Sequence, residues 1–217
     1  MDRSTQPRVP DRRLLLKEAR ALVDLATLPL GFLRTPNTDK PAGATIVLPG
    51  FGAGERTMRP LERYRREGGV AWLVDRMIER VRRRADERGA PVALVGWSLG
   101  GTIAREVARD VPEAVQQVIT LGSPVIGGPK YTAAARGLAR RGLDIDWIEA
   151  QARLREARPV RVPITAVVSP SDAIVDFRAA RDHHSENVEH IELDVAHLGM
   201  GINRKVWRVV LKRLQDR

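Results

Sequence analysis

Short apolar runs alternate with amphipathic stretches along this chain, and the alternation predicts its architecture. Ala44-Thr45-Ile46-Val47-Leu48 is apolar and β-branched and is halted by Pro49-Gly50, as expected of a buried strand. Residues 91–95, 115–121, 162–168 and 188–195 repeat the pattern, each ending at a turn-forming or small residue. Between them, Leu73, Met77, Ile78 and Val81 recur at helical spacing within residues 70–88, and 102–109 also reads as a helix. Residues 55–66 read as a further helix, broken by Glu67-Gly68-Gly69, and Val206, Val209, Val210 and Leu214 mark a closing one. Strands alternating with helices imply right-handed crossovers and a mostly parallel sheet with helices on both faces. Ligands of such sheets bind at the carboxyl ends of the strands, so the breaks after 48, 95, 121, 168 and 195 are expected to meet in space.

Two segments stand outside this alternation. Residues 1–43 read as an N-terminal helical extension and linker, with the linker rich in Pro, Thr, Asn and Gly over 34–43. Leu15, Ala19, Leu22, Val23, Leu25 and Ala26 lie at helical spacing, which fits an extra helix packed on the domain or, less favoured, a peripheral membrane contact through 11–33. Residues 125–160 begin with Gly and Pro and continue with Leu143, Ile145, Trp147, Ile148 and Leu154, a cap-like helical insertion in a domain spanning 44–217.

Composition narrows the function classes. At 217 residues the chain suits one domain with a sizeable core. It has no cysteine, so disulfides, thiolate metal sites and a cysteine nucleophile are excluded, and a cytoplasmic location is the expectation. The formal charge of +10 comes mostly from arginine runs such as Arg82-Arg83-Arg84, but these are dispersed among acidic residues. With aromatics at 4% and no nucleic-acid motif, nucleic acid is not an expected partner. Neither a secretory signal nor an apolar run of spanning length is expected.

The chemistry concentrates at Gly96-Trp97-Ser98-Leu99-Gly100-Gly101, where an apolar strand runs through a glycine-flanked serine into a helix. The pentapeptide alone is weak, but its strand–turn–helix setting suits a nucleophile elbow. A serine hydroxyl needs a base within reach, and the base needs a partner that fixes its tautomer. Of four histidines, His197 alone follows a strand end. His183 and His184 lie in a segment that reads as helix, and His190 lies inside a strand. Asp172 follows the strand at 162–168 and is the favoured acid, ahead of Asp176, read as a turn into a helix, and Asp194, at a strand end. Leu99 at the helix start and Phe51 after Pro49-Gly50, with Gly52 as fallback, are the expected oxyanion donors. Trp97, Val125, Ile126 and Trp147 are the expected substrate contacts. Gly50 to Gly54 lacks the Gly-Lys-Ser/Thr or G-x-G-x-x-G that a nucleotide site would need.

Taken in order, these segments resemble bacterial esterases and lipases of the α/β-hydrolase fold. Leu48-Pro49-Gly50-Phe51 resembles the oxyanion segment, with proline where many relatives have histidine. Gly96 to Gly101 resembles the elbow, and Ile119-Thr120-Leu121-Gly122-Ser123-Pro124 a strand end common in bacterial lipases. Ser169 to Val175 resembles the acid loop, and Ala196-His197-Leu198-Gly199 the histidine loop. The resemblance implies a serine hydrolase cleaving small apolar carboxylic esters without metal or organic cofactor. Acyl transfer on the same triad, or a non-catalytic binding protein on the same fold, are the alternatives. One departure stands out: only about 40 residues separate Gly52 from Val92. The strand that relatives carry there would have to be 69–74, or be missing from the sheet.

Overall fold

The computed structural model describes residues 6–32, 43–50, 70–140 and 142–216, with the backbone alone described for 27–32. Five strands, β1 (Thr45–Leu48), β2 (Val92–Trp97), β3 (Val115–Leu121), β4 (Ile164–Val168) and β5 (Val188–Glu192), form one parallel sheet in the order of the sequence. Every pairing is parallel, from Leu48 opposite Gly96 to Val168 opposite Glu192.

Successive strands that step one place in the same direction must send their right-handed crossovers over one face. Helices α2 (Val70–Arg88) and α3 (Leu99–Asp110) do so together. Val74 and Val81 of α2 and Ile103, Ala104 and Val107 of α3 share a core with Val92, Leu94 and Val118. The alternate strand residues Val95, Ile119, Leu121 and Val167 face the other way and pack with Val206, Val209, Val210 and Leu214. The period-2 rule thus splits β2 between two cores, and strands apolar on both sides are the sequence consequence. All four of those partners line the inward stripe of the closing helix, Arg204–Gln215, whose other face is charged.

Residues 70–74, the one candidate for the strand that relatives carry ahead of the elbow strand, form the first turn and more of α2. Among the described residues β1 has β2 as its single neighbour, and Val47 is 69% exposed on that edge. The predicted helix at 55–66 lies outside the described residues. The N-terminal segment is helical, first as a 3-10 helix, Arg12–Ala19, and then as α1 (Arg20–Phe32). The insertion at 125–160 contains two short helices, α4 (Ala135–Arg140) and α5 (Ile145–Glu156). The closing helix is α6.

Candidate active site

β2 ends by delivering Ser98 with φ 53° and ψ −123°, the one non-glycine residue among those described with a positive φ. Such a conformation costs on the order of 1–3 kcal/mol and persists only where the surroundings over-determine it. Here they do. The Ser98 N–H donates to the Leu121 carbonyl at 2.9 Å, and its own carbonyl accepts from the Gly101 N–H at 3.0 Å. The flanking glycines permit contacts that no side chain would. A Cβ on Gly96 would stand 2.3 Å from Gly101 Cα, and one on Gly100 would stand 2.3 Å from the Leu48 carbonyl oxygen. The glycines therefore let the start of α3 rest directly on β1 and β2. Leu99 opens α3, so its N–H is among those that no carbonyl of the helix can take.

The histidine and the acid meet under the next strand ends. His197 Nδ1 lies 2.7 Å from Asp172 Oδ2, and both side chains are buried. The other carboxylate oxygen, Oδ1, accepts from the N–H groups of Ile174 at 2.8 Å and Val175 at 2.7 Å. Asp172 thus serves its own turn with one oxygen and the imidazole with the other. That division fixes the carboxylate plane and aims it at Nδ1.

Gly122 joins the serine side to this pair. It follows Leu121, which accepts from Ser98, and it has φ +52°. A Cβ there would stand 2.8 Å from Asp172 Oδ2 and 3.1 Å from His197 Nδ1. The Trp97 ring lies 5.8 Å from the His197 ring, centroid to centroid, and the buried Trp97 Nε1 finds no hydrogen-bond partner among the described residues. A Cβ on Gly50 would touch Ser98 Cβ at 3.2 Å, which brings the end of β1 to the same place. The strand breaks at 48, 97, 121 and 168 and the histidine loop therefore converge, as the parallel arrangement requires.

Rival residues go elsewhere. Asp176 caps a turn through the N–H groups of Arg178 and Ala179, and Asp194 accepts from the Ser171 hydroxyl and pairs with Arg20. His183 and His184 lie in an irregular loop, not the predicted helix. The loop is held by Asp182, whose Oδ1 accepts from the N–H groups of His184 and Ser185. His190 sits on β5 with Nε2 accepting from the Asp182 N–H at 3.1 Å. Burial, followed by the Arg181 guanidinium, holds this imidazole below its ordinary range.

Of the expected substrate contacts, Trp97 lies beside the histidine and Val125 is buried with its N–H on the Ala179 carbonyl. Ile126 donates to the same carbonyl at 2.9 Å. Trp147 lies on the first turn of α5 and is 61% exposed. Phe51 and Gly52 lie outside the described residues. Sequence reasoning passed over Gly122, although a glycine after a buried strand was its signal. It also passed over Glu18, whose carboxylate accepts from the His197 N–H at 3.0 Å. Among the described residues, no three of His, Asp and Glu converge as a metal-binding group, and no helix is long and apolar enough to cross a membrane.

Comparison with solved structures agrees with this fold. A metagenome-derived lipolytic enzyme superposes with a TM-score of 0.59 at 15% identity, covering 81% of this chain and 96% of its own. A lipase-esterase related protein of Clostridium acetobutylicum gives 0.58 at 14%, covering 82% and 96%. The monoacylglycerol lipase of Paleococcus ferrophilus gives 0.54 at 15%, covering 79% and 93%. The family model described as the alpha/beta hydrolase fold matches residues 45–144, from β1 through the elbow into the insertion. The chain has the α/β-hydrolase fold. No match to a curated protein was found. At these identities the likeness carries the fold, and the chemistry must be argued from the residues.

Proposed function

We propose that this α/β-hydrolase-fold protein is a serine hydrolase that cleaves carboxylic esters through an acyl-enzyme on Ser98. The observation that carries the reading is the buried His197–Asp172 pair at 2.7 Å, packed on Gly122, whose neighbour Leu121 bonds the N–H of a serine held at positive φ on a strand-to-helix turn. A structural serine would gain nothing from that strain, and a carboxylate on Nδ1 sets the tautomer in which Nε2 is the nitrogen able to take a proton.

The reaction balances with these groups. The Ser98 hydroxyl adds to the ester carbonyl carbon while His197 Nε2 takes its proton. Asp172 keeps the Nδ1–H tautomer and stabilises the imidazolium. The tetrahedral oxyanion accepts from the Leu99 N–H and, in this reading, from the Phe51 N–H. The imidazolium then returns its proton to the departing alkoxide, which leaves as alcohol. Water adds to the acyl-enzyme with His197 again as base, releasing the acid and free Ser98. The Trp97 ring beside His197 supports an uncharged ester as the substrate class.

The test is labelling by a fluorophosphonate probe together with turnover of short and medium acyl p-nitrophenyl esters. The wild-type chain is expected to do both. Ser98→Ala is expected to lose labelling entirely and turnover by about 10⁴-fold or more. Ester turnover that survives Ser98→Ala would refute the mechanism.

A further inference from the structure

Glu18 is a carboxylate of the N-terminal segment, buried to 9% exposure, and it lies far along the chain from the residues proposed to react. Carboxylates are rarely buried unless their oxygens are satisfied. Here three backbone N–H groups satisfy them. Oε1 accepts from Ala173 at 3.1 Å and from His197 at 3.0 Å, and Oε2 accepts from Leu198 at 2.9 Å. Ala173 directly follows the acid, and His197 is the base itself. His197 and Leu198 also open the short 3-10 turn His197–Gly199, whose first N–H groups have no partner within the turn.

We propose that Glu18 is a positioning residue of the hydrolytic site, a clasp that ties the acid loop to the histidine loop and so sets the Asp172–His197 geometry. The proposal rests on the reading of Ser98 as nucleophile for its kinetic consequences, although not for its geometric ones. Neither loop belongs to the sheet, and Glu18 bonds to the backbone of both from outside them. Ser169, at the start of the acid loop, adds a tie through its Oγ, which accepts from the N–H groups of Ser171 and Val195. A carboxylate suits the task because both oxygens accept and neither donates. Its negative charge also complements the N-terminal end of the histidine's own turn. The contacts around it hold the same segment in place. Lys17 Nζ donates to Ser171 Oγ at 3.2 Å, and Asn203 Nδ2 donates to Asp24 Oδ1 at 2.8 Å.

The bland role for Glu18 would be to dock the N-terminal segment and nothing more. Two substitutions separate the roles. Glu18→Ala removes the clasp, whereas Asp24→Ala loosens the same segment at Asn203 and leaves the Glu18 carboxylate in place. Glu18→Gln is the graded case, since one oxygen can keep Ala173 and His197 while the amide N–H₂ then faces the Leu198 N–H. The experiment measures thermal stability, kcat and KM for a p-nitrophenyl ester, the rate of fluorophosphonate labelling, and the downfield proton resonance of the His197 Nδ1–H.

Glu18→Ala is expected to lower kcat and the labelling rate by about 10–100-fold, the scale of a misplaced catalytic group, with KM little changed. It is also expected to broaden or lose the imidazole resonance. Glu18→Gln should fall between it and wild type. Asp24→Ala should lose stability with kcat and the resonance retained. A Glu18→Ala protein that loses stability alone, with kcat, labelling and the resonance as in wild type, would overturn the clasp. If the wild-type chain neither labels nor turns over esters, the hydrolytic reading fails instead. The resonance then decides the clasp by itself: its loss in Glu18→Ala supports the clasp, and its persistence sinks it.

Discussion

The elbow and the insertion over residues 125–160 are held together by opposite means. At the elbow, backbone lies on backbone, with Gly96 against Gly101 and Gly100 against the end of β1, and β2 behind it is buried from Val92 to Gly96. Across 126–157, Ala135 is the one hydrophobic side chain among the described residues that is buried. Charge holds that region instead. Glu149 accepts from Lys130 Nζ at 2.6 Å, the Tyr131 hydroxyl at 2.8 Å and Arg153 at 2.9 Å. Burial alone would push the Glu149 carboxyl up, but those donors outweigh it and hold it below the usual carboxylate range. The close-packed region can keep a reactive group in a strained geometry, because nothing near it can relax. The charged region, with Arg153 largely and Lys130 partly open to water, can rearrange at small cost.

The largest effect comes from relaxing the strained residue itself. Ser98→Gly is expected to abolish ester turnover, by about 10⁴-fold or more. It should also raise stability by about 1 kcal/mol, since glycine takes a positive φ without the penalty that serine carries. Turnover assays and a urea melt read the two effects separately. A variant that loses activity without becoming more stable would mean that the elbow stores no strain.

The ion pairs of the two regions should differ as much as their packing. Arg105 of α3 meets Asp182 at 2.7 Å with both side chains almost wholly buried. Burial opposes the charge on Asp182, but Arg105, followed by the His184 N–H, holds its carboxyl at about 2. Asp182→Asn leaves a buried guanidinium uncompensated and is expected to cost about 3–5 kcal/mol near neutral pH. The sign with pH follows from the depressed value. The stabilisation is complete above the ordinary aspartate range and is lost as pH falls through about 4 towards 2. Acid titration of stability should therefore bring the wild type and Asp182→Asn together at the low end, and parallel curves would refute the pairing.

Close packing makes its own prediction next in size. Gly96→Ala would place a Cβ 2.3 Å from Gly101 Cα and 2.4 Å from Gly101 N, atoms that cannot swing aside. Lifting α3 from the sheet is expected to cost about 3 kcal/mol or more. Denaturant unfolding reads it directly, and a cost below about 1 kcal/mol would mean that the elbow yields after all.

Much of the elbow region was legible in the sequence because its constraints are local. Apolar runs ending at Pro49, Gly96, Gly122 and Ser169 mark strands by composition, and a serine between glycines is meaningful once a strand precedes it. Strand-end logic also separated His197 and Asp172 from their rivals, since a parallel sheet brings those ends together whatever the details. The parts that were not legible depend on contacts between distant segments. Glu18 looks like any charged residue on an amphipathic stretch, and only the fold reveals that three N–H groups await it. His183 and His184 read as helical because their neighbours have helical propensity. Asp182 overrides that by drawing the following N–H groups into an Asx turn. Trp147 read as a pocket residue because it falls on the apolar stripe of a cap-like insertion, and it lies at the surface because the insertion has little apolar core to receive it.

The smallest effect tests the insertion with the substitution that the elbow cannot bear. Gly137 lies inside α4, has no positive φ, and a Cβ there would meet nothing within 4 Å. Glycine inside a helix sacrifices backbone entropy that alanine does not, so Gly137→Ala is expected to stabilise by about 0.5–1 kcal/mol. The gain would appear in a denaturant melt only if α4 unfolds with the sheet. If the insertion opens on its own, the global melt should stay put and the gain should appear as slower amide exchange confined to 135–140. Gly→Ala would then have opposite signs at two sites roughly 40 residues apart, with backbone proximity as the deciding variable. A Gly137→Ala protein destabilised as much as Gly96→Ala would show that α4 is packed against a surface, and the contrast between a close-packed elbow and a charge-held insertion would fall.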